Sequence, residues 1–520
     1  MLRFCLTLLA WLSAALPAFA QGANIGASMG AGMEAGEGVS ARSEHFVLVS
    51  DASVDARTLL SDLEAFRIAV AADLGLPEVR QPPLRISIVD DPDLFTAVSP
   101  GGLTAAIYRQ SAVGHDVVLG YDSRPGRMLS RALEPEWLRL VLRHETVHHL
   151  LETRYPRKLP IWLGEGLAEY YASYRRGPDG RPVFGHALPE QEVPSPTQDW
   201  LPLRNVIESL SHYPDFRLSG QTPTKAQRLY YGQSWALANF VMDQPEGLAR
   251  IHRFVDGWSD GRTGEDSFQQ AFGLGYEGLE ARLRQAVSQE RPLYPDPVTP
   301  KTGIAVTSGT ADGTDIARNH LRLLLTHGRL GEDVDQRIDA LSARLGEAAD
   351  TLDLDLARSL RLWRWKDWDG ATAAAETALR RDPDNASALK MRAKAAYGQV
   401  SERQSEGALW DVAEIAALQA LAVDPNDAEL HLFHVAVSLP TDVRLTPNAR
   451  ASLDWLQTQR THLRRPHTAM MMVPALIYEN RFDQADAVLD SAARWASNPD
   501  DRWVIERLRG NVASERAKRR

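Results

Sequence analysis

The segment His144-Glu145-Thr146-Val147-His148 restricts what this chain can become more than any other stretch. Residues four apart share one face of a helix, so the two imidazoles converge only if the segment is helical. The flanks agree: Trp137, Leu138, Val141, Leu142, Val147, Leu150 and Leu151 supply an apolar face, and the helix must stop before Pro156. Converging imidazoles suit a metal ion, and Glu145 would reach the ion's open position and deprotonate a bound water. A catalytic zinc needs a third protein ligand. Just downstream, Pro160-Ile161-Trp162-Leu163-Gly164-Glu165-Gly166-Leu167-Ala168-Glu169-Tyr170 begins with a proline suited to a helix start. Glu165 and Glu169 share a face among apolar Trp162, Leu163 and Leu167, unlike an ordinary solvated pair. A short turn between the helices would make Glu165 the third ligand. Glu169 would then accept a hydrogen bond from the far nitrogen of a liganding histidine.

At these residues the chain resembles the gluzincin metallopeptidases, zinc peptidases of the thermolysin and aminopeptidase kind. It is closer still to the peptidase-MA-like domains of exported bacterial proteins. The resemblance implies an α+β zincin-like catalytic domain, a small N-terminal sheet plus a helical zinc-binding part. It also implies Zn2+ held by His144, His148 and Glu165, with Glu145 as general base in peptide-bond hydrolysis. Trp162-Leu163-Gly164-Glu165-Gly166 is similar to the third-ligand segment of the aminopeptidase branch. Tyr231-Gly232-Gln233-Ser234-Trp235-Ala236-Leu237 resembles the helix on which that branch carries an oxyanion-stabilising tyrosine. That comparison implies Tyr231 in the role, with Tyr230 as its rival. The branch's Gly-x-Met-x-Asn motif, which grips a free amine, is missing between Leu84 and Pro135. The expectation is therefore an endopeptidase that binds an extended chain along an edge strand. Asp116 to Tyr121 is the candidate strand. His149, His186, His212 and His252 stay unassigned.

Elsewhere the pattern separates the chain into parts. Met1 to Ala20 has Arg3, an apolar run from Phe4 to Ala15 and Ala18-Phe19-Ala20, which reads as a secretory signal. Its Cys5 is the single cysteine, which excludes a disulfide framework in the mature chain. The expected destination is outside the cytoplasm, periplasmic or secreted. A net charge of −10 without basic clusters argues against nucleic acid. No later run is long and apolar enough for a membrane span. Residues 21–42, rich in Gly, Ala and Ser, read as a flexible linker. Phe46 to Val49 and Leu84 to Val89 read as strands, with a helix from about Val54 to Ala72 between them. Leu103 to Tyr108 and Val117 to Tyr121 read as two more strands, joined by a turn around Gly114. After Pro135 the pattern is helical, broken by a polar loop from about Arg176 to Gln198. The catalytic domain is expected over 43–290. Pro292, Pro295, Pro297 and Pro300 open a stiff linker over 291–314.

An all-α helical-repeat domain is expected over 315–515. Trp368, Ala371, Ala375, Ala378 and Pro383 recur 42 positions later as Trp410, Ala413, Ala417, Ala420 and Pro425. A fainter copy holds Phe482, Ala485, Leu489 and Ala492. This resembles tetratricopeptide repeats of about 34 residues, with a surplus of about eight expected around Tyr397 to Gly407. Such repeats stack into a curved surface that binds peptides or partner proteins. The tryptophans at 363, 365, 368 and 410 are expected to pack between helices. Three readings result: a zinc peptidase, a catalytically silent protein-interaction scaffold, and a zinc hydrolase of another bond.

Overall fold

A computed structural model describes residues 38–76, 82–99, 106–120, 134–155, 159–186, 200–209, 223–259, 262–287, 303–403, 407–439, 445–458, 466–494, 496 and 499–519. The expected signal at 1–20, most of the linker at 21–42 and His212 lie outside these residues. The fold is mixed α+β, and most of it is helical. Strands β1 (Gly38–Arg42) and β2 (Phe46–Ser50) lead into α1 (Ala56–Asp73), capped by the Asp55 side chain, then β3 (Leu84–Val89) and α2 (Pro92–Val98). A hairpin of β4 (Ala106–Ser111) and β5 (Gly114–Gly120) precedes α3 (Pro135–Arg154) and α4 (Ile161–Ala172). A two-residue ladder of β6 (Arg175–Arg176) and β7 (Pro182–Val183) follows, where a polar loop was expected. Helices α5 (Leu203–Ile207), α6 (Pro223–Met242), α7 (Gly247–Ser259), α8 (Gly264–Phe272) and α9 (Tyr276–Val287) complete this half.

The sheet runs β4-β5-β3-β2-β1-β8, where β8 is Thr307–Ala311. Strands β2, β3 and β5 are parallel, while β4, β1 and β8 pair antiparallel to their neighbours. Alternation decides its two faces. Phe46, Leu48, Ile86, Ile88, Val117 and Leu119 point to one core, closed by Leu59, Leu60 and Leu63 of α1 and Leu138 and Leu142 of α3. Val89 and Val118 point the other way, toward Leu94 and Phe95 of α2 and toward Leu323 and Leu324.

Four expectations change. The linker expected over 21–42 ends early, because Gly38–Arg42 is a paired strand. The linker expected over 291–314 contains β8, which pairs with β1 at the sheet edge. Helix α10 (Gly313–His327), expected to begin a separate domain at 315, instead covers the second face of the sheet. Polar contacts join it there: Asn319 to Ser87, His320 to Asp51, and both Arg322 and His327 to Asp116. Thr307-Ser308-Gly309-Thr310-Ala311 has little apolar pattern of its own, and its strand arises from pairing with β1. The substrate strand expected at Asp116 to Tyr121 is also displaced. Its described part is in β5, which lies between β4 and β3 with its backbone groups already paired. Among the described residues the edge strand beside α3 is β4.

Beyond α10 the chain is helical: α11 (Glu332–Leu345), α12 (Leu352–Arg364), α13 (Trp368–Arg381), α14 (Ala386–Arg403), α15 (Gly407–Val423), α16 (Ala428–Val437), α17 (Pro447–Thr458), α18 (Pro466–Tyr478), α19 (Phe482–Arg494) and α20 (Pro499–Lys518). From α12 on, α12, α14, α16, α18 and α20 touch in succession, each also packing on an intervening helix. Ala371, Ala375 and Ala378 of α13 and Ala413, Ala417 and Ala420 of α15 are buried at these crossings. Part of the expected surplus lengthens α14 to Arg403. Between α15 and the faint third copy in α19 stands α17, which has no Trp–Ala signature. Trp368 and Trp410 are buried as expected, whereas Trp365 is 46% exposed. Among the described residues no helix is long and apolar enough to cross a membrane.

Candidate metal centre

Helix α3 belongs to two cores. Leu138 and Leu142 pack on the sheet, while Val147, Leu150 and Leu151 pack among α4, α6, α7 and α8. Arg143, one residue before the first histidine, fixes its position. Its guanidinium donates to both oxygens of Asp62 on α1, at 3.0 and 2.6 Å, and to the Tyr174 carbonyl at 3.2 Å. Helix α4 lies against α6, and at Gly166 a Cβ would come within 2.2 Å of the Ser234 carbonyl oxygen. The glycine after Glu165 is thus a steric requirement of the crossing that aims the carboxylate.

Between α3 and α4 His144, His148 and Glu165 come together, the one group among the described residues that could hold a metal ion. The two Nε2 atoms are 3.2 Å apart, and Glu165 Oε2 is 3.4 Å from His144 Nε2 and 3.7 Å from His148 Nε2. Ligands about 2.1 Å from a tetrahedral ion stand about 3.4 Å from one another, which these three edges match. The two imidazole nitrogens face each other at 3.2 Å, a separation that a shared proton or a metal ion bound to both satisfies. Two imidazole nitrogens and one carboxylate oxygen form a donor set that a divalent metal ion can take. Glu169 Oε1 lies 3.5 Å from His144 Nδ1, the far nitrogen, where a supporting carboxylate was expected.

The site is electrostatically tense. Burial opposes charge on His144, but the Glu165 hydrogen bond and the carboxylates of Glu169, Glu145 and Glu165 raise it to about 9. Burial works against ionised Glu165 as well, yet His148 and His144 hold it well below the usual carboxylate range. Burial raises Glu169, with Glu165 and Glu145 adding to the rise. A cluster of buried carboxylates around two imidazoles favours a cation at its centre.

Tyr230 is fully buried, and its hydroxyl has no hydrogen-bond partner among the described residues. Burial, then the field of Glu165, push its phenol well above the usual range. Tyr231, the residue the resemblance implies, is half-buried with its ring edge-on to Tyr230 at 6.1 Å. His149 is driven down to about 3 by burial and by His115, Arg67 and His45. His186 is buried, and His252 meets Tyr155 edge-on at 5.5 Å.

Sequence reasoning missed a group beside the centre. Tyr108 of β4 donates its hydroxyl proton to Glu152 Oε2 at 2.6 Å and lies 2.6 Å from His115 Nδ1. Its ring stacks 6.4 Å from that of His148. With its amide turned so that the nitrogen faces the carboxylate, Gln110, two residues on and on the same strand face, also donates to Glu152 at 3.0 and 3.2 Å. Glu152 continues the spacing of four from His144 and His148, and that run was the signal available in the sequence.

Compared with known proteins, the chain matches no family model, no curated protein and no solved structure.

Proposed function

We propose that this chain is an exported zinc-dependent peptidase with a zincin-like catalytic half and tetratricopeptide-like repeats after it. The observation that carries the reading is the His144–His148–Glu165 triangle with Glu145 next in sequence to its first ligand. His144, His148 and Glu165 would hold the ion, and Glu169 would orient His144. When bound, zinc supplies a Lewis acid that polarises a carbonyl oxygen and makes water more acidic. Glu145 accepts the proton of the attacking water on its carboxylate and passes it to the leaving nitrogen. The resemblance gives oxyanion stabilisation to Tyr231. The buried, unpartnered hydroxyl of Tyr230 in the field of Glu165 favours Tyr230 for the same task. An extended peptide would pair with the free edge of β4, beside α3. A mixed peptide library tests this: new cleavage products that disappear with Glu145→Gln support hydrolysis, and identical patterns from both proteins overturn it.

The scaffold reading has one observation of its own. Val412, Ile415 and Val423 lie exposed along α15, an apolar surface of the kind that protein partners cover.

A further inference from the structure

The turn of the β4–β5 hairpin is unusual. Turn positions favour polar residues and glycine, but here Ala112 and Val113 occupy them, and Val113 is only 8% exposed. Ser111 closes the turn by donating its hydroxyl to the Gly114 carbonyl at 3.1 Å and accepting from the Val113 amide at 3.2 Å. Gly114 has a φ of +141°, a conformation that favours glycine. The turn therefore presents an apolar tip, and that tip is buried against the C-terminal helices. Val113 belongs to a core built from Leu356 and Leu360 of α12, Ala375 and Ala378 of α13, and Ala388 and Met391 of α14. Beside it Arg85 of β3 reaches Asp353 in the first turn of α12 at 2.7 Å.

The same strand is held on its other side by α3, where Tyr108 donates to Glu152 and Gln110 does so once its amide nitrogen faces that carboxylate. An edge strand lacks one neighbour's hydrogen bonds and is the part of a sheet that opens most readily. Here β4 has β5 on one side, Glu152 of α3 on its face, and the helical array at its turn.

We infer that Val113 is a positioning residue, through which the helical array holds β4 in register beside the metal centre. The inference rests on the reading that β4 pairs with the substrate, and it deepens that reading: the array is part of the catalytic unit, and displacing it loosens the substrate strand. Removing the tip leaves α3, α4 and the three ligands in their own cores, so metal binding persists while strand order falls.

The test is hydrogen–deuterium exchange of the full-length protein with Val113→Asp and the milder Val113→Ala. The amides of Ala106 to Ser111 are expected to exchange about tenfold faster in V113D, and less so in V113A, as local opening becomes easier. Exchange in Leu84 to Val89 and zinc per chain should be unchanged. With a peptide library, KM should rise about tenfold while kcat stays within about threefold. Unchanged exchange in β4, with only α12 to α14 loosened, would overturn the inference, because Val113 would then merely support the array. If V113D does not fold, V113A decides on the same exchange readout. That readout needs no activity, so a wild-type chain without cleavage would sink the functional reading and still leave the brace tested.

Discussion

Arg143 and Asp62 form a buried two-bond ion pair, Nε to Oδ2 at 3.0 Å and Nη2 to Oδ1 at 2.6 Å, that ties α3, the helix of His144 and His148, to α1. Both side chains are at most 5% exposed, and the guanidinium also lies over the rings of Phe66 and Tyr174. Replacing one partner leaves the other as an unpaired buried charge. Arg143→Met is expected to destabilise the fold by about 3–5 kcal/mol, read as a lower denaturation midpoint. The double variant with Asp62→Leu should recover much of that loss, and its failure to do so would show that the pair contributes more than charge compensation.

Glu169 is expected to act through His144. Glu169→Gln should weaken zinc binding by about 10- to 100-fold, measured by competition with a chelator, while leaving the chain folded. Affinity equal to wild type would remove Glu169 from the centre's support.

Tyr230→Phe separates catalysis from stability. The lost hydroxyl has no hydrogen-bond partner among the described residues, so thermal stability should hold or rise slightly. If the hydroxyl donates to the oxyanion, kcat should fall about 100-fold or more. Tyr231→Phe is the control: a large loss there with none in Tyr230→Phe would return the role to Tyr231.

Acid should weaken the seam between the sheet and α10. Burial opposes ionised Asp116, yet Arg322 and His327 hold its carboxyl far below the usual range. Burial lowers His327 below its ordinary value even with Asp116 beside it. Both groups have depressed values in the fold, so each contributes stability above its unfolded pKa and loses it as pH falls. Unfolding free energy should decline below about pH 6.5 as His327 responds, and again below about pH 4 as Asp116 does. Denaturant titrations at a series of pH values check this. In Asp116→Asn the decline below about pH 4 should flatten.

The sequence was most readable where one element sufficed. Leu84 to Val89 alternates, and β3 has those bounds. The spacing of His144, His148, Glu165 and Glu169 placed all four on facing helix surfaces, and the structure brings the first three within hydrogen-bonding or ion-pair range of one another and Glu169 within that range of His144. What stayed hidden depends on partners far along the chain. Thr307 to Ala311 looks like linker because its strand character comes from β1, more than 260 positions earlier. Strand order is equally non-local. Asp116 was placed on an edge from its local pattern, whereas its neighbours on both sides, and Arg322 and His327 above it, are set by tertiary packing. The contact between Val113 and the helical array could not be read from a hairpin alone.

The most direct measurement is the zinc content of the purified protein beside His148→Ala and Glu165→Ala. About one zinc per wild-type chain, reduced in both variants, is the expected result for a three-ligand centre. A wild-type chain that holds no zinc after loading and removal of the excess, or full zinc in either variant, would contradict it.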